Sequence, residues 1–152
     1  MAGPIDRALM GFVDAPVSPT DDPARLGSVE LLDPGPFTVR DLVTLRILHR
    51  VGHHGLDDRG ALKIVMRFPA DGGPWQGDDP AAAQYVSAVA SRPCAFRTKF
   101  EAFGHARPWF KVLTVQLVGG CLAEGDTVTL TLGDRSGGSP GLRLQTFCEE
   151  AC

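Results

Sequence analysis

From Phe37 onward the chain tends to alternate apolar and polar side chains, and this period of two constrains the fold more than any other feature. In a strand, successive side chains point to opposite faces, so strict alternation marks a ribbon with one face buried. Val43, Leu45, Ile47, His49 and Val51 alternate with Thr44, Arg46, Leu48 and Arg50. Leu62, Ile64, Met66 and Phe68 alternate with Lys63, Val65 and Arg67. The turn-rich segment 53–60 lies between these runs, and the spacing predicts that they pair as a hairpin. Cys94, Phe96, Thr98 and Phe100 form a further strand pattern, as do Val128, Leu130 and Leu132 against Thr127, Thr129 and Thr131. Phe110–Val118 is the most β-prone run. Tyr85–Ala90 suits a continued helix or a short strand, with strand the preferred reading. Leu142, Leu144 and Thr146 open a last strand expected to end near Cys148. The count is seven strands, or eight with Val29–Leu32.

The 18 glycines and 12 prolines among 152 residues interrupt the chain too often for a helical bundle or coiled coil. One helix start is visible: Asp79 as an N-cap followed by Pro80 and three alanines, good for a turn or two. The expected fold is therefore an all-β antiparallel sandwich of seven to eight strands with at most one short helix. A chain of this length can bury one self-sufficient core. Residues 1–36 stand apart, carrying six acids, two bases and six prolines. They read as an irregular acidic arm packed on a sandwich domain of residues 37–152, with Ile5, Leu9, Met10 and Phe12 as its anchors.

Charge and hydropathy weaken several functional classes. Fifteen Lys and Arg against 18 Asp and Glu, with no basic run, provide no footprint for nucleic acid. The longest mostly apolar stretch, Leu113–Ala123, holds Gln116 and two glycines and is too short to span a membrane. The first residues lack the basic and apolar regions of a secretory signal, so a cytoplasmic protein with reduced thiols is expected. On that reading Cys94, Cys121 and Cys148 are small core or near-core residues, and Cys148 with Cys152 has no complete ligand set for a metal.

Candidate chemistry falls into three groups. His53, His54, Asp57 and Asp58 are the most ligand-like cluster, yet an Asp-rich turn between strands explains them as well, and no metal is expected. The loop Gly133–Gly141, GDRSGGSPG, offers backbone amides and Arg135 to an anion, although it lacks the ending of a P-loop. The ordinary alternative pairs Asp134 and Arg135 with each other, or with Arg107 and Asp79. His105, Arg107 and Trp109 add a cation and an aromatic face, where Arg can stack on Trp. A triad from Cys94 or Ser136 with His105 and Asp126 or Asp134 has no support in the spacing, because GDRSG is not a G-x-S-x-G elbow.

Three groups of residues carry a resemblance. The first is Gly55-Leu56-Asp57-Asp58-Arg59-Gly60 with Arg67-Phe68 and Asp78-Asp79-Pro80-Ala81. The second is Arg107-Pro108-Trp109 with Lys111, then Gly125-Asp126-Thr127. The third is GDRSGGSPG at 133–141 with Gln145-Thr146-Phe147. In this order, over residues 37–150, they resemble the N-terminal β-rich region of an uncharacterised bacterial family of large proteins. In that family the region precedes a part similar to PHP-type metal-dependent phosphoesterases. The resemblance implies a non-catalytic sandwich module, with the metal chemistry belonging to the C-terminal part that is missing here. His53-His54 lies outside the shared motifs.

Two functions are therefore expected in order. The first is an accessory or interaction module without its own catalysis or cofactor, working through self-association or a protein partner, since uncovered sheet edges need cover. The second is a small-molecule protein holding a polar or anionic ligand with Asp78, Asp79, His105, Arg107, Trp109, Asp134 and Arg135, which sit at strand ends and loops.

Overall fold

The computed structural model describes residues 23–148. A 3-10 turn, Pro23–Leu26, leads into nine strands: β1 (Gly27–Leu31), β2 (Leu42–Val43), β3 (Leu45–Val51), β4 (Ala61–Met66), β5 (Val86–Ala90), β6 (Ala95–Glu101), β7 (Lys111–Val118), β8 (Thr127–Leu132) and β9 (Leu142–Arg143). The fold is all-β, and every strand pairing is antiparallel. One sheet has the order β1-β3-β8-β5, the second β4-β7-β6, and β2 pairs with β9 as a short ribbon.

The alternation explains which strands lie at the centre. Threonine alternates with valine and leucine in β8, and Val128, Leu130 and Leu132 are buried. Leu113, Val115 and Leu117 of β7 are buried as well and belong to the same apolar cluster. The inner faces of the two sheets thus close on each other as a sandwich, with side chains interdigitating across about 10 Å. Each fully buried leucine contributes roughly 1.5–3 kcal/mol of transfer free energy, so the two central strands hold much of the core. The register carries the pattern outward, with Ile47 and Ala88 beside Leu130, and Ile64 and Phe100 beside Leu113. β1 lies at an edge, where Val29 is 69% exposed. It falls within the segment read as an arm, and it takes in Val29–Leu31 of the run counted as an eighth strand, with Leu32 outside it. Ile5, Leu9, Met10, Phe12 and Cys152 lie outside the described residues.

Four expectations are corrected. β3 and β4 do not form a hairpin: β3 lies between β1 and β8, and β4 pairs with β7 in the other sheet. Residues 52–60 carry the chain from one sheet to the other, pinned by the Leu56–Leu122 bridge and by Arg59 N–H donating to Leu117 O at 3.0 Å. The Asp79–Ala83 helix is a capped turn. Asp79 Oδ1 accepts from Ala81 N at 2.9 Å, but Gln84 then turns left-handed at φ 65° and donates its N–H to Gly141 O, ending any helix. The last strand stops at Arg143 because Thr146 gives both its amide and its hydroxyl to the Asp71 carboxylate, at 2.8 and 2.6 Å. Of the cysteines, Cys94 packs against the core, whereas Cys121 and Cys148 are exposed on turns beyond the strands.

Candidate functional site

Two loops meet at one end of the four-stranded sheet. Residues 76–85 return to start β5, and residues 133–141 leave β8 to reach β9. Tyr85 O accepts from the amides of Gly133 and Asp134 at 2.7 and 3.1 Å, tying the loops together. Gly137 packs so closely on Pro80 that an added Cβ would lie 2.3 Å from the proline Cβ. Within this junction Asp134 accepts from Ser87 Oγ at 2.5 Å and from Ser136 N at 2.9 Å. The Ser87 hydroxyl, with the Ser136 amide behind it, holds the Asp134 carboxyl below the usual carboxylate range. Arg135 turns away and donates to Leu42 O at 2.6 Å. Asp79 caps its own turn, while Gln76 Oε1 accepts from the amides of Asp78 and Asp79 at 2.8 and 2.9 Å.

His105, Arg107 and Trp109 belong to the connection between β6 and β7, on the second sheet. His105, Arg107 and Trp109 are exposed, and Arg107 lies over the Phe110 ring at 5.8 Å. The guanidinium therefore stacks on Phe110, not on Trp109. Phe110 in turn meets Phe68 and Phe103 ring to ring at 5.6 and 5.8 Å. The structure thus brings Asp78, Asp79, Asp134 and Arg135 onto adjoining loops and puts His105, Arg107 and Trp109 on a separate one. Among the described residues no ion pair joins Asp134 or Asp79 to Arg135 or Arg107. None links His105 by hydrogen bond to Cys94, Ser136, Asp126 or Asp134 either.

The His53 group is used locally. His53 Nδ1 meets Glu124 Oε2 at 3.1 Å, and its ring stands edge-on to His54 at 5.5 Å. Asp57 Oδ1 accepts from the Asp58 amide at 2.8 Å, and Asp58 Oδ1 from the Gly119 amide at 2.7 Å. These carboxylates act as turn caps. Among the described residues no group of three or more His, Cys, Asp or Glu has a geometry suited to a metal ion.

A further cavity lies elsewhere and has a different character. At the open end of the sandwich, beside the β2–β9 ribbon, a cavity of about 540 Å³ is lined chiefly by Phe37, Met66, Trp75, Leu132, Leu144 and Phe147. That volume lies within the range of small-ligand sites, roughly 300–1,000 Å³. Asp71, at the neighbouring corner, is held below the usual carboxylate range first by the Thr146 hydroxyl and then by its amide. Trp75 is 7% exposed, and its Nε1–H is buried without a hydrogen-bond partner. An unsatisfied buried donor costs about 1–3 kcal/mol. The period-two alternation gives no sign of this cavity. The available signal was a tryptophan set just after Gly72-Gly73-Pro74, where a solvated loop has no use for so large a ring.

Comparison with protein-family models, with curated proteins and with solved structures returns no match to this chain. Among the described residues no helix is long and apolar enough to cross a membrane.

Proposed function

We propose that the protein is a non-catalytic β-sandwich accessory module that acts by binding through the apolar open end of its sandwich. The observation that carries this reading is the cavity of about 540 Å³ with its mostly apolar lining. Apolar surface left open to water is where association is most favourable per unit area. The polar residues that would otherwise be suspected of chemistry support the same reading, since Asp134, Arg135 and Asp79 are engaged in hydrogen bonds that shape loops. The resemblance to the region preceding a PHP-like part adds a context, that of a bacterial cytoplasmic module working beside a metal-dependent enzyme. A small-ligand reading keeps one support: Asp78 lines a smaller cavity of about 330 Å³ together with Ser87 and Arg97.

The test is binding of the apolar dye ANS to the folded protein. One saturable site is expected, lost in Leu144→Glu, with Leu144→Met retaining it. Absence of binding to the folded wild type, or equal binding by Leu144→Glu, would overturn the reading.

A further inference from the structure

At the far end of the three-stranded sheet a second crevice, of about 510 Å³, is lined by Asp58, Arg59, Arg97, Gln116, Val118 and Gly119. We infer that this crevice is an oxyanion site built for a phosphate group, with Arg59 and Arg97 as its two cationic arms. The inference is independent of the apolar cavity described above.

The two arginines come from different parts of the fold and are brought together by the sheet. Arg97 of β6 lies opposite Gln116 of β7 in register, on the outer face. Gln116 Nε2 donates to Arg59 O at 3.1 Å, so one side chain of the sheet holds the loop that presents Arg59. The Arg59 amide is held as well, donating to Leu117 O at 3.0 Å. Between these two bonds Arg59 is kept at φ 67°. A residue with a Cβ enters that left-handed region at a cost of about 1–2 kcal/mol, and a neighbouring glycine, Gly60, would adopt it freely. Such strain tends to persist where the side chain has a use.

The charges in the crevice leave room for a ligand. Among the described residues neither the Arg59 nor the Arg97 guanidinium has a hydrogen-bond or ion-pair partner. The one carboxylate present, Asp58, has an oxygen committed to the Gly119 amide at 2.7 Å. Two cations lining one pocket repel each other, and an anion between them removes that repulsion. Each guanidinium offers a planar fork of donors that matches the oxygens of a phosphate, and a phosphate monoester carries about −1.5 to −2 charges at neutral pH. A single carboxylate would match one fork and leave the second cation unpaired, whereas one phosphate group presents about two charges and its oxygens to both forks at once, which a dicarboxylate such as succinate does only with two separated groups.

Inorganic phosphate and phenyl phosphate would be titrated into the ¹⁵N-labelled full chain at neutral pH, with ionic strength held constant by NaCl and succinate as the carboxylate comparison. Saturable shifts of the Arg97, Gln116 and Gly119 amides are expected. Apparent affinity should fall at least tenfold in Arg97→Gln and in Arg59→Gly, the latter also relaxing the backbone. Should Arg97→Gln fail to fold, Arg97→Lys replaces it, with an intermediate loss expected because the charge remains and the fork does not. Equal binding by wild type and variants would overturn the site, as would shifts that NaCl alone reproduces. Saturation by succinate with no response to either phosphate would overturn the phosphate assignment.

Discussion

The Ser87 hydroxyl of β5 donates to the Asp134 carboxylate at 2.5 Å, joining two residues 47 positions apart in the chain. Asp134 in turn receives the Ser136 amide, so one carboxylate ties the edge of a sheet to the loop that leaves its central strand. Ser87→Ala removes the bond and leaves the carboxylate to Ser136 alone. The expected loss is about 1 kcal/mol at neutral pH, measured by urea unfolding. The Asp134 pKa is expected to rise toward its ordinary range. Because its depressed value stabilises the fold above about pH 4 and that contribution fades as pH falls further, the difference between wild type and variant should shrink in acid. A constant difference down to pH 3 would show that Asp134 is not the partner that matters.

His49 lies on the inner face of β3, beside Val128 of β8, and its Nδ1 is buried without a partner. Burial is the main cause holding its pKa below the ordinary histidine value, partly opposed by a bond to the Ser28 backbone. A histidine depressed in the folded state takes up its proton more readily when unfolded. Stability is therefore full above about pH 6.5 and declines as pH falls through that value. His49→Leu is expected to flatten the stability–pH curve between pH 7 and 5, read as thermal midpoints. An unchanged slope would shift the cause to the exposed histidines.

Leu113 and Leu117 of β7 are 0% exposed, at the centre of the shared core. Leu113→Ala and Leu117→Ala are each expected to cost about 3 kcal/mol, as buried leucine truncations do. Leu26, at 57% exposure, should tolerate the same change within about 0.5 kcal/mol. Urea midpoints for the three variants make the comparison directly.

Two glycines with similar backbones separate crowding from conformation. Gly133 (φ 71°) would place a Cβ 2.2 Å from Leu142 N and 2.5 Å from Val43 O, whereas Gly119 (φ 74°) has open space around it. Gly119→Ala is expected to cost only the left-handed strain, about 1 kcal/mol. Gly133→Ala should exceed 3 kcal/mol or fail to fold, because backbone atoms cannot move aside without breaking the β2–β9 ribbon. Comparable losses at both positions would show that crowding contributes little.

What could be read from the chain follows from how local each signal is. The Thr/Val/Leu alternation of 127–132 needs no partner to declare a strand or to say which face is buried, and β8 matches it residue for residue. Partner choice is not local. Nothing between Val51 and Ala61 says that the chain changes sheets, and a hairpin was the natural reading of two adjacent alternating runs. The 79–83 turn looked helical because capping chemistry is local, but Gln84 answers to Gly141, far along the chain. Of the site residues, Asp134 and Arg135 were recognisable as loop residues, while their partners Ser87 and Leu42 were not. The apolar cavity was hidden for the same reason: Phe37, Met66, Trp75, Leu132 and Leu144 come from five separate segments.

The position of β7 and β8 in the chain bears on how the protein is made. Each lies in the interior of its sheet, and each follows both of the strands it pairs with. During synthesis β3, β4, β5 and β6 leave the ribosome with half-apolar faces and unmet backbone groups, and they stay so until residues 111–132 emerge. Neither sheet closes early, and folding waits on pairings that are distant in sequence. The newborn chain is therefore at its most adhesive just before β7 appears, and slower translation upstream of that point should raise aggregation more than the same pause placed after β8.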